Sequence, residues 1–231
     1  MPVYNEGAAV ESVVTSWTSV LDGLAIDYEF RIYDDGSTDA TGLRLEALAA
    51  RLPRLCVTRQ SNRGHGPTVL RGYAEAGGRW IFQTDSDDEI PADAFADLWP
   101  RRRDADVVIG VRTGRTSDAA RRALTWGAAA VVRCLYGRSV ADVNVPFRLM
   151  RTDALRRMLP RVPADTFAPN VILSGLFARD RLTWIEVPVP ARPRATGRTS
   201  LFGWNVWKAA ARAARQTVGV AVRERLGRAA P

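Results

Sequence analysis

The chain has 231 residues, 46% of them hydrophobic and 25% charged, which is enough apolar content to bury a sizeable core and excludes disorder over most of its length. It carries a formal net charge of +8 with one histidine and two cysteines, and it has no apolar run approaching the roughly 18 residues of a membrane span. Glu6 and Glu11 argue against a signal peptide, so the expectation is a cytoplasmic protein whose Cys56 and Cys134 are buried, reduced thiols with no chemistry of their own.

The charge is unevenly placed. Residues 192–231 hold nine cationic side chains against one acid, Glu224, which leaves residues 1–191 formally neutral. Such a tail seeks phosphate, whether of a nucleic acid, an anionic lipid or a substrate. No recognised nucleic-acid motif accompanies it, so nucleic acid is the weakest of these partners.

In chain order, Met1 to Glu6 leads into a helix over Ala8 to Leu21, where Val10, Val13, Val14, Trp17 and Leu21 recur at helical spacing and Asn5 is placed to cap. A strand normally precedes such a helix. Only Val3 and Tyr4 stand in its place, so the first strand is either very short or begins upstream of the recorded start. Tyr28 to Tyr33 reads as a strand meeting Asp34-Asp35-Gly36-Ser37-Thr38-Asp39, followed by a helix through Leu43, Leu45, Leu48 and Leu52. Leu55 to Thr58 is a third strand, and Asn62-Arg63-Gly64-His65-Gly66-Pro67 then opens a short helix. Gly64 and Gly66 allow close backbone approach to an anion, although Val69 excludes a dinucleotide fingerprint. His65 has no partner visible in the sequence, and an incidental position is expected for it.

Trp80 to Thr84 reads as a buried strand that turns into Asp85-Ser86-Asp87-Asp88-Glu89. Alternate side chains of an extended chain share a face, so Asp85, Asp87 and Glu89 would converge beyond the strand's carboxyl end. Oxygen ligands of this kind suit a hard divalent cation. Taken alone, an acidic turn capping a helix from Pro91 to Trp99 explains the stretch equally well. Asp106 to Val111 is a strand closing on Gly110-Val111-Arg112, Arg121 to Tyr136 a long helix, and Asp142 to Met150 a strand-like return. Asn170 to Arg179 is helical and Thr183 to Val189 a strand. This rhythm predicts an α/β fold, a mostly parallel sheet flanked by helices. After the basic loop 192–200, Leu201 to Trp207 leads into a basic amphipathic helix ending near Leu226, whose aromatics and arginines suit an anionic membrane surface.

Taken in order, these segments resemble a family 2, GT-A fold glycosyltransferase, most closely the polyprenyl-phosphate (dolichol-phosphate mannosyltransferase-like) branch, through Ser200. Pro2-Val3-Tyr4-Asn5-Glu6 matches P-x-Y-N-E, Asp34 to Asp39 matches D-D-G-S-x-D, and Asn62 to Gly66 matches N-x-G-x-G. Asp85-Ser86-Asp87 matches D-x-D, Gly110-Val111-Arg112 G-x-R, Phe147-Arg148-Leu149 F-R-L, Glu186 to Val189 E-V-P-V, and Arg194 to Gly197 R-x-x-G.

The resemblance implies a catalytic domain over 1–191 and an acceptor loop with a membrane-facing helix over 192–231. It implies that Pro2, Tyr4, Glu6, Asp34, Asp35, Gly64 and Asp85 hold a nucleotide sugar, and that Asp85, Asp87 and Glu89 hold Mg²⁺ or Mn²⁺, Glu89 falling where relatives carry a glutamine. Asp87, Arg112, Arg148 and Arg194 would serve transfer, the arginines by meeting the phosphate of a polyprenyl phosphate. The implied activity is inverting transfer at the inner face of the plasma membrane by a peripherally bound enzyme. A phosphate acceptor is already ionised and needs no strong base; a hydroxyl acceptor would need one, with Asp142 or Asp88 as candidates. Transfer to a hydroxyl in glycan or glycolipid assembly, and a non-catalytic membrane module of the same fold, are the alternatives.

Overall fold

The computed structural model describes residues 1–113, 119–192 and 204–226. Strand β1 (Pro2–Val3) is followed by helix α1 (Val10–Gly23), β2 (Phe30–Asp34), α2 (Thr41–Ala49), β3 (Leu55–Arg59) and α3 (His65–Glu75). These strands form a parallel sheet in the order β1-β2-β3, with Pro2 opposite Tyr33 and Phe30 opposite Leu55. The apolar spacing along α1 does what it predicts: Val10, Val13, Val14, Trp17 and Leu21 form its buried face.

A second sheet has the order β4-β6-β5-β7 and comprises β4 (Trp80–Gln83), β5 (Val107–Thr113), β6 (Arg148–Arg151) and β7 (Trp184–Pro190). β5 and β7 are parallel, whereas β6 is antiparallel to both of its neighbours. The departure from a parallel pattern has a local cause. Arg148, the first residue of β6, stands opposite Ile109 and Met150 stands opposite Val107, so the loop before β6 delivers the chain to the middle of β5 and it runs back toward the amino end of that strand.

The expected helix from Pro91 to Trp99 is broken into a turn at Ala92–Ala94, a short α4 (Phe95–Leu98) and a turn at Trp99–Arg103. Pro91 precedes the first of these and Pro100 opens the last, where each removes a backbone donor. Helices α5 (Ala119–Tyr136), α6 (Thr152–Met158), α7 (Pro169–Arg179) and α8 (Trp204–Leu226) complete the chain. Every residue of α7 from Pro169 to Ala178 is buried, which marks it as the central helix of its layer.

Beneath the carboxyl ends of the strands lies an aromatic cluster. The Phe82 ring of β4 has its centroid 4.6 Å from that of Phe95 and 5.3 Å from that of Trp17, both tilted, and meets Phe147 edge to face at 4.9 Å. It clamps α1, β4, α4 and the 142–147 loop into one base, each pair contributing about 0.5–1.5 kcal/mol beyond its burial. α8 packs against α5 and α7 and is pinned by Glu224, which accepts hydrogen bonds from Arg161 at 2.9 Å and pairs with Arg179 at 2.7 Å.

Two local expectations are corrected. Cys56 and Cys134 are exposed, because Cys56 points outward from the alternating strand β3 and Cys134 lies on the outer side of α5. Asn5 does not cap α1; Ala9 occupies the capping position before Val10, and no side-chain capping bond is made there. Instead it sits at φ 53° with its Oδ1 accepting from the Thr38 amide at 2.8 Å.

Candidate active site at the carboxyl edge of the strands

The first loops of the two leading βα units are laced together. The amides of Asn5, Glu6 and Gly7 donate to Ser37 Oγ at 2.9 Å, Thr41 Oγ1 at 2.9 Å and Asp39 Oδ2 at 3.0 Å. Tyr4, in the same loop, keeps about half of its surface exposed and is free to stack on a planar ligand, while Pro2 is buried in the sheet.

Asp34 and Asp35 are placed differently from the expectation that they hold a nucleotide. Both are buried. Asp34 Oδ1 accepts from the Ser37 amide at 2.9 Å, and its Oδ2 lies 3.5 Å from Arg59 Nε. Asp35 takes bonds from Gln60 Nε2 at 2.7 Å, the Arg63 amide at 2.8 Å and the Gly64 amide at 2.9 Å. Asp35 is thus a latch on the loop that enters α3. Gly64 carries φ +90°, where an L side chain would be strained. A Cβ on Gly66 would lie 1.9 Å from the Thr166 carbonyl oxygen, so that glycine is required by the close approach of the 166–167 loop.

Asp85 emerges from the end of β4 with about a quarter of its side chain open to solvent, and His65 Nε2 lies 3.1 Å from its Oδ1. Burial disfavours the charged imidazole of His65 and the carboxylates of Asp85 and then Asp87 favour it. Half of that side chain is exposed, so desolvation is weak and the upward direction set by the carboxylates holds. Asp87 Oδ1 accepts from the Glu89 amide at 3.2 Å, closing a tight turn over Asp88, which sits at φ 51°. Burial raises the Asp88 carboxyl, with Arg192 opposing.

Asp85 and Asp87 offer only oxygen donors, the chemistry a hard divalent ion takes. Among the described residues no group of three or more His, Cys, Asp or Glu side chains converges on one point. That pattern fits an ion held by one or two carboxylates and completed by the phosphates of a ligand. Glu89, expected as a third ligand, instead meets Arg112 Nη1 at 3.3 and 3.4 Å.

Arg112, at the end of β5, is nearly buried and forks onto Asp142, with Nε to Oδ2 at 2.8 Å and Nη2 to Oδ1 at 3.1 Å. Burial disfavours its charge, but Asp142 and then Glu89 outweigh that and raise its pKa. The backbone amide of Arg192 donates to the Glu89 carbonyl at 2.7 Å, bringing the end of β7 to the acidic turn. Arg148 differs from the expectation of a phosphate contact. It is fully buried, and its guanidinium donates to the carbonyls of Val145 at 3.0 Å, Val143 at 3.1 Å and Asn170 at 3.2 Å. It therefore folds the 142–147 loop over α7 and offers no fork to the cleft. Arg194 lies outside the described residues.

A buried polar chain was not visible in the motifs. Tyr73 of α3 donates to Gln83 Oε1 at 2.5 Å, and Asn170 Nδ2 donates to the same oxygen at 2.9 Å. Gln83 is two residues before Asp85, and Asn170 also supplies the carbonyl that holds Arg148. The signal in the sequence was a glutamine inside an otherwise apolar strand, which a buried strand tolerates only with partners.

Residues 1–159 match the model of Glycosyl transferase family 2. The chain is 29% identical over 206 residues to undecaprenyl-phosphate 4-deoxy-4-formamido-L-arabinose transferase of Serratia proteamaculans, covering 87% of this chain and 62% of that protein. It is 27% identical over 202 residues to the protein of the same name from an Enterobacter species, covering 86% and 60%. The chain thus spans about three-fifths of the length of the curated relatives it matches. Among solved structures, glucosyl-3-phosphoglycerate synthase of Mycobacterium tuberculosis, in complex with Mn²⁺, UDP-glucose and phosphoglyceric acid, superposes with a TM-score of 0.67 at 21% identity, over 95% of this chain and 76% of that one. The same enzyme with Mn²⁺, UDP and glucosyl-3-phosphoglycerate gives 0.63. At that identity the likeness carries the α/β fold expected from the strand–helix rhythm.

Proposed function

The chain belongs to glycosyl transferase family 2, and from that premise we propose that it moves a sugar from a nucleoside diphosphate donor to the phosphate of a polyprenyl phosphate at a membrane surface. The observation that carries this reading is the adjacency of two opposite chemistries along one strand edge. Oxygen donors at Asp85 and Asp87 stand on one side, and the Arg112 guanidinium, ion-paired to Glu89 and Asp142, stands on the other. The names of the curated relatives, which are undecaprenyl-phosphate transferases, support the acceptor class.

Tyr4 would stack on the donor base, with Glu6 and Gly64 in the loops around it, Pro2 in the strand that leads to it, and Asp34 and Asp35 fixing those loops from behind. Asp85 and Asp87 would hold Mg²⁺ or Mn²⁺, a choice supported by the Mn²⁺ bound in the solved synthase. The ion supplies Lewis-acid stabilisation of the charge that collects on the leaving diphosphate. Arg112 would hold the acceptor phosphate, a role the resemblance extends to Arg194, which lies outside the described residues. A phosphate dianion attacks the anomeric carbon without losing a proton, which agrees with an edge that offers a single histidine.

Residues 1–191 would form the catalytic body and 192–231 the acceptor-facing part. On α8 the exposed Trp207, Val218, Val222 and Leu226 fall within one arc of about 100°, which the exposed Lys208, Arg215 and Arg225 share, a mixed apolar and cationic stripe suited to the interface of an anionic membrane. Among the described residues no helix is long and apolar enough to cross a membrane.

Purified protein incubated with UDP- and GDP-sugars, Mn²⁺ and a short polyprenyl phosphate should give a lipid-linked sugar phosphate by mass spectrometry. Binding of nucleotide and metal with no product from any donor would overturn the reading. A second reading, transfer to a hydroxyl acceptor, is favoured by the position of Asp142 at the same edge, where it would act as base; product with alcohol acceptors and none with lipid phosphate would select it.

A further inference from the structure

We propose that the groove at the amino end of the second sheet is an oligophosphate site, which takes a soluble anion bearing two or more linked phosphates. The site stands apart from the transfer reaction and does not rest on it. β4 begins at Trp80, β5 at Val107 and β7 at Trp184, and the antiparallel β6 ends at Arg151, so all four strands close at this edge. Asp85 lies beyond the other end of β4, five residues and about 17 Å of extended chain away. The groove has a volume of about 830 Å³, within the range of small-molecule sites. Arg79, Arg102, Arg103, Arg151 and Arg156 line it, from three separate stretches of chain.

The charges in the groove do not balance. Arg151 forks onto Asp153 at 2.8 and 3.2 Å and reaches Asp106 at 3.2 Å, and Asp106 also accepts from the Thr183 amide at 3.0 Å and hydroxyl at 2.8 Å. Asp106 and Asp153 are thereby committed. The guanidiniums of Arg79, Arg102, Arg103 and Arg156 then face Asp104 as the remaining carboxylate of the groove, and among the described residues none of these four arginines has an ion pair. Arg31, Arg54 and Arg161, by contrast, each meet a carboxylate within 3.6 Å. Two of the four are held in place without being neutralised. Arg102 lies over the Trp99 ring, 3.7 Å from its centroid, and donates to the Trp99 carbonyl, while Arg156 donates to the Ala76 carbonyl at 3.2 Å. A ring or a carbonyl fixes a guanidinium and leaves it charged, with N–H donors to spare. Burial lowers the Arg102 pKa and the charge of Arg103 lowers it further, a repulsion that a bound anion relieves. Guanidinium forks match phosphate oxygens, and cations drawn from three stretches of chain suit an anion with several phosphates better than a single one.

Calorimetry with tripolyphosphate in metal-free buffer should give one site with a Kd in the micromolar range, and inorganic phosphate should bind at least about tenfold more weakly. Arg79→Gln combined with Arg103→Gln should weaken tripolyphosphate about tenfold or more. The same double variant should keep its Tm, because both side chains are exposed and carry no ion pair among the described residues. Arg101→Gln, in the same turn as Arg103 but outside the groove, should leave binding unchanged. Bound tripolyphosphate should slow amide exchange in 77–80 and 101–106 and leave 62–66 and 85–89 as they were. No binding at millimolar tripolyphosphate, undiminished affinity in the double variant, an equal loss in Arg101→Gln, or phosphate binding as tightly as tripolyphosphate would each overturn the proposal. Phosphatidylcholine vesicles with about 30% phosphatidylglycerol that protect 77–80 and 101–106 while tripolyphosphate does not would assign the groove to a membrane surface and would also overturn it.

Discussion

Arg112 grips both oxygens of Asp142, at 2.8 and 3.1 Å, and lends its remaining terminal nitrogen to Glu89. The three side chains come from β5, the loop before β6 and the turn after β4, so the guanidinium ties the proposed acceptor half of the cleft to the acidic turn. Asp142→Asn removes the charge and half of the fork. The expected outcome is a rise of about tenfold or more in KM for polyprenyl phosphate with nucleotide binding unchanged. If Asp142 is instead a base, kcat falls and the acidic limb of its pH profile disappears, and steady-state kinetics across pH separates the two.

Asp87→Ala should lower transfer by about 10²-fold or more, the scale of losing one electrostatic contact to a transition state. Its Tm should stay near that of the unmodified protein, because the bond of the side chain to the Glu89 amide closes a local turn two residues on and does not join elements of the core. Titration with Mn²⁺ and UDP by calorimetry should show metal-linked nucleotide binding weakened in the same variant. Wild-type turnover in Asp87→Ala would reduce the acidic stretch to a turn.

Arg148 and Arg112 should respond oppositely to the same substitution. Arg148→Met strands the carbonyls of Val143, Val145 and Asn170 in the interior, and a loss of about 3 kcal/mol or more is expected in urea denaturation. Arg112→Met leaves Glu89 and Asp142 facing each other at the edge, with a smaller loss of stability and a large loss of transfer. Similar unfolding midpoints for the two would remove the distinction drawn between a structural and a functional arginine.

The Met1 amino group has an ordinary pKa of 8.0, lowered to about 5 in the folded chain, mainly by desolvation. Between those values the unfolded chain binds a proton that the folded chain refuses, so this group makes stability rise with pH from about 5 to 8 and level off above. Acetylating the amine should remove that slope. Urea midpoints of acetylated and untreated protein at pH 5, 6.5 and 8 isolate it from His65, whose raised pKa acts in the opposite sense over its own range.

Trp207→Ala with Leu226→Glu should weaken binding to vesicles containing about 30% anionic lipid several-fold and leave transfer to a short, soluble acceptor unchanged, as expected when two members of an interfacial stripe are lost. Co-sedimentation with vesicles measures the first, and a soluble-acceptor assay the second.

The strands and helices of the first sheet were legible because apolar spacing and turn chemistry agree there, as in α1 and in the turn after β2. The second sheet was less so: β6 has four residues, too few for a period to declare itself, and its antiparallel direction follows from where the loop delivers Arg148. At the site, residue type and order located the edge but could not say which way a side chain turns. Asp35 and Asp85 both look like ligands in the sequence, yet one closes on three donors of a neighbouring loop and the other faces His65 in partial solvent. Gln83 and Asn170 lie 87 residues apart, and no local pattern joins them.

Their bond bears on how such a protein can be recombined. Gln83 stands on the strand that leads to Asp85 and Asp87, and Asn170 carries the carbonyl that holds Arg148 beneath the loop that bears Asp142. A chimera crossing over between residues 83 and 170 would mix two lineages of this buried chain and leave a polar atom stranded at the seam. Grafts that aim to exchange acceptor preference should therefore take residues 83, 148 and 170 from a single parent.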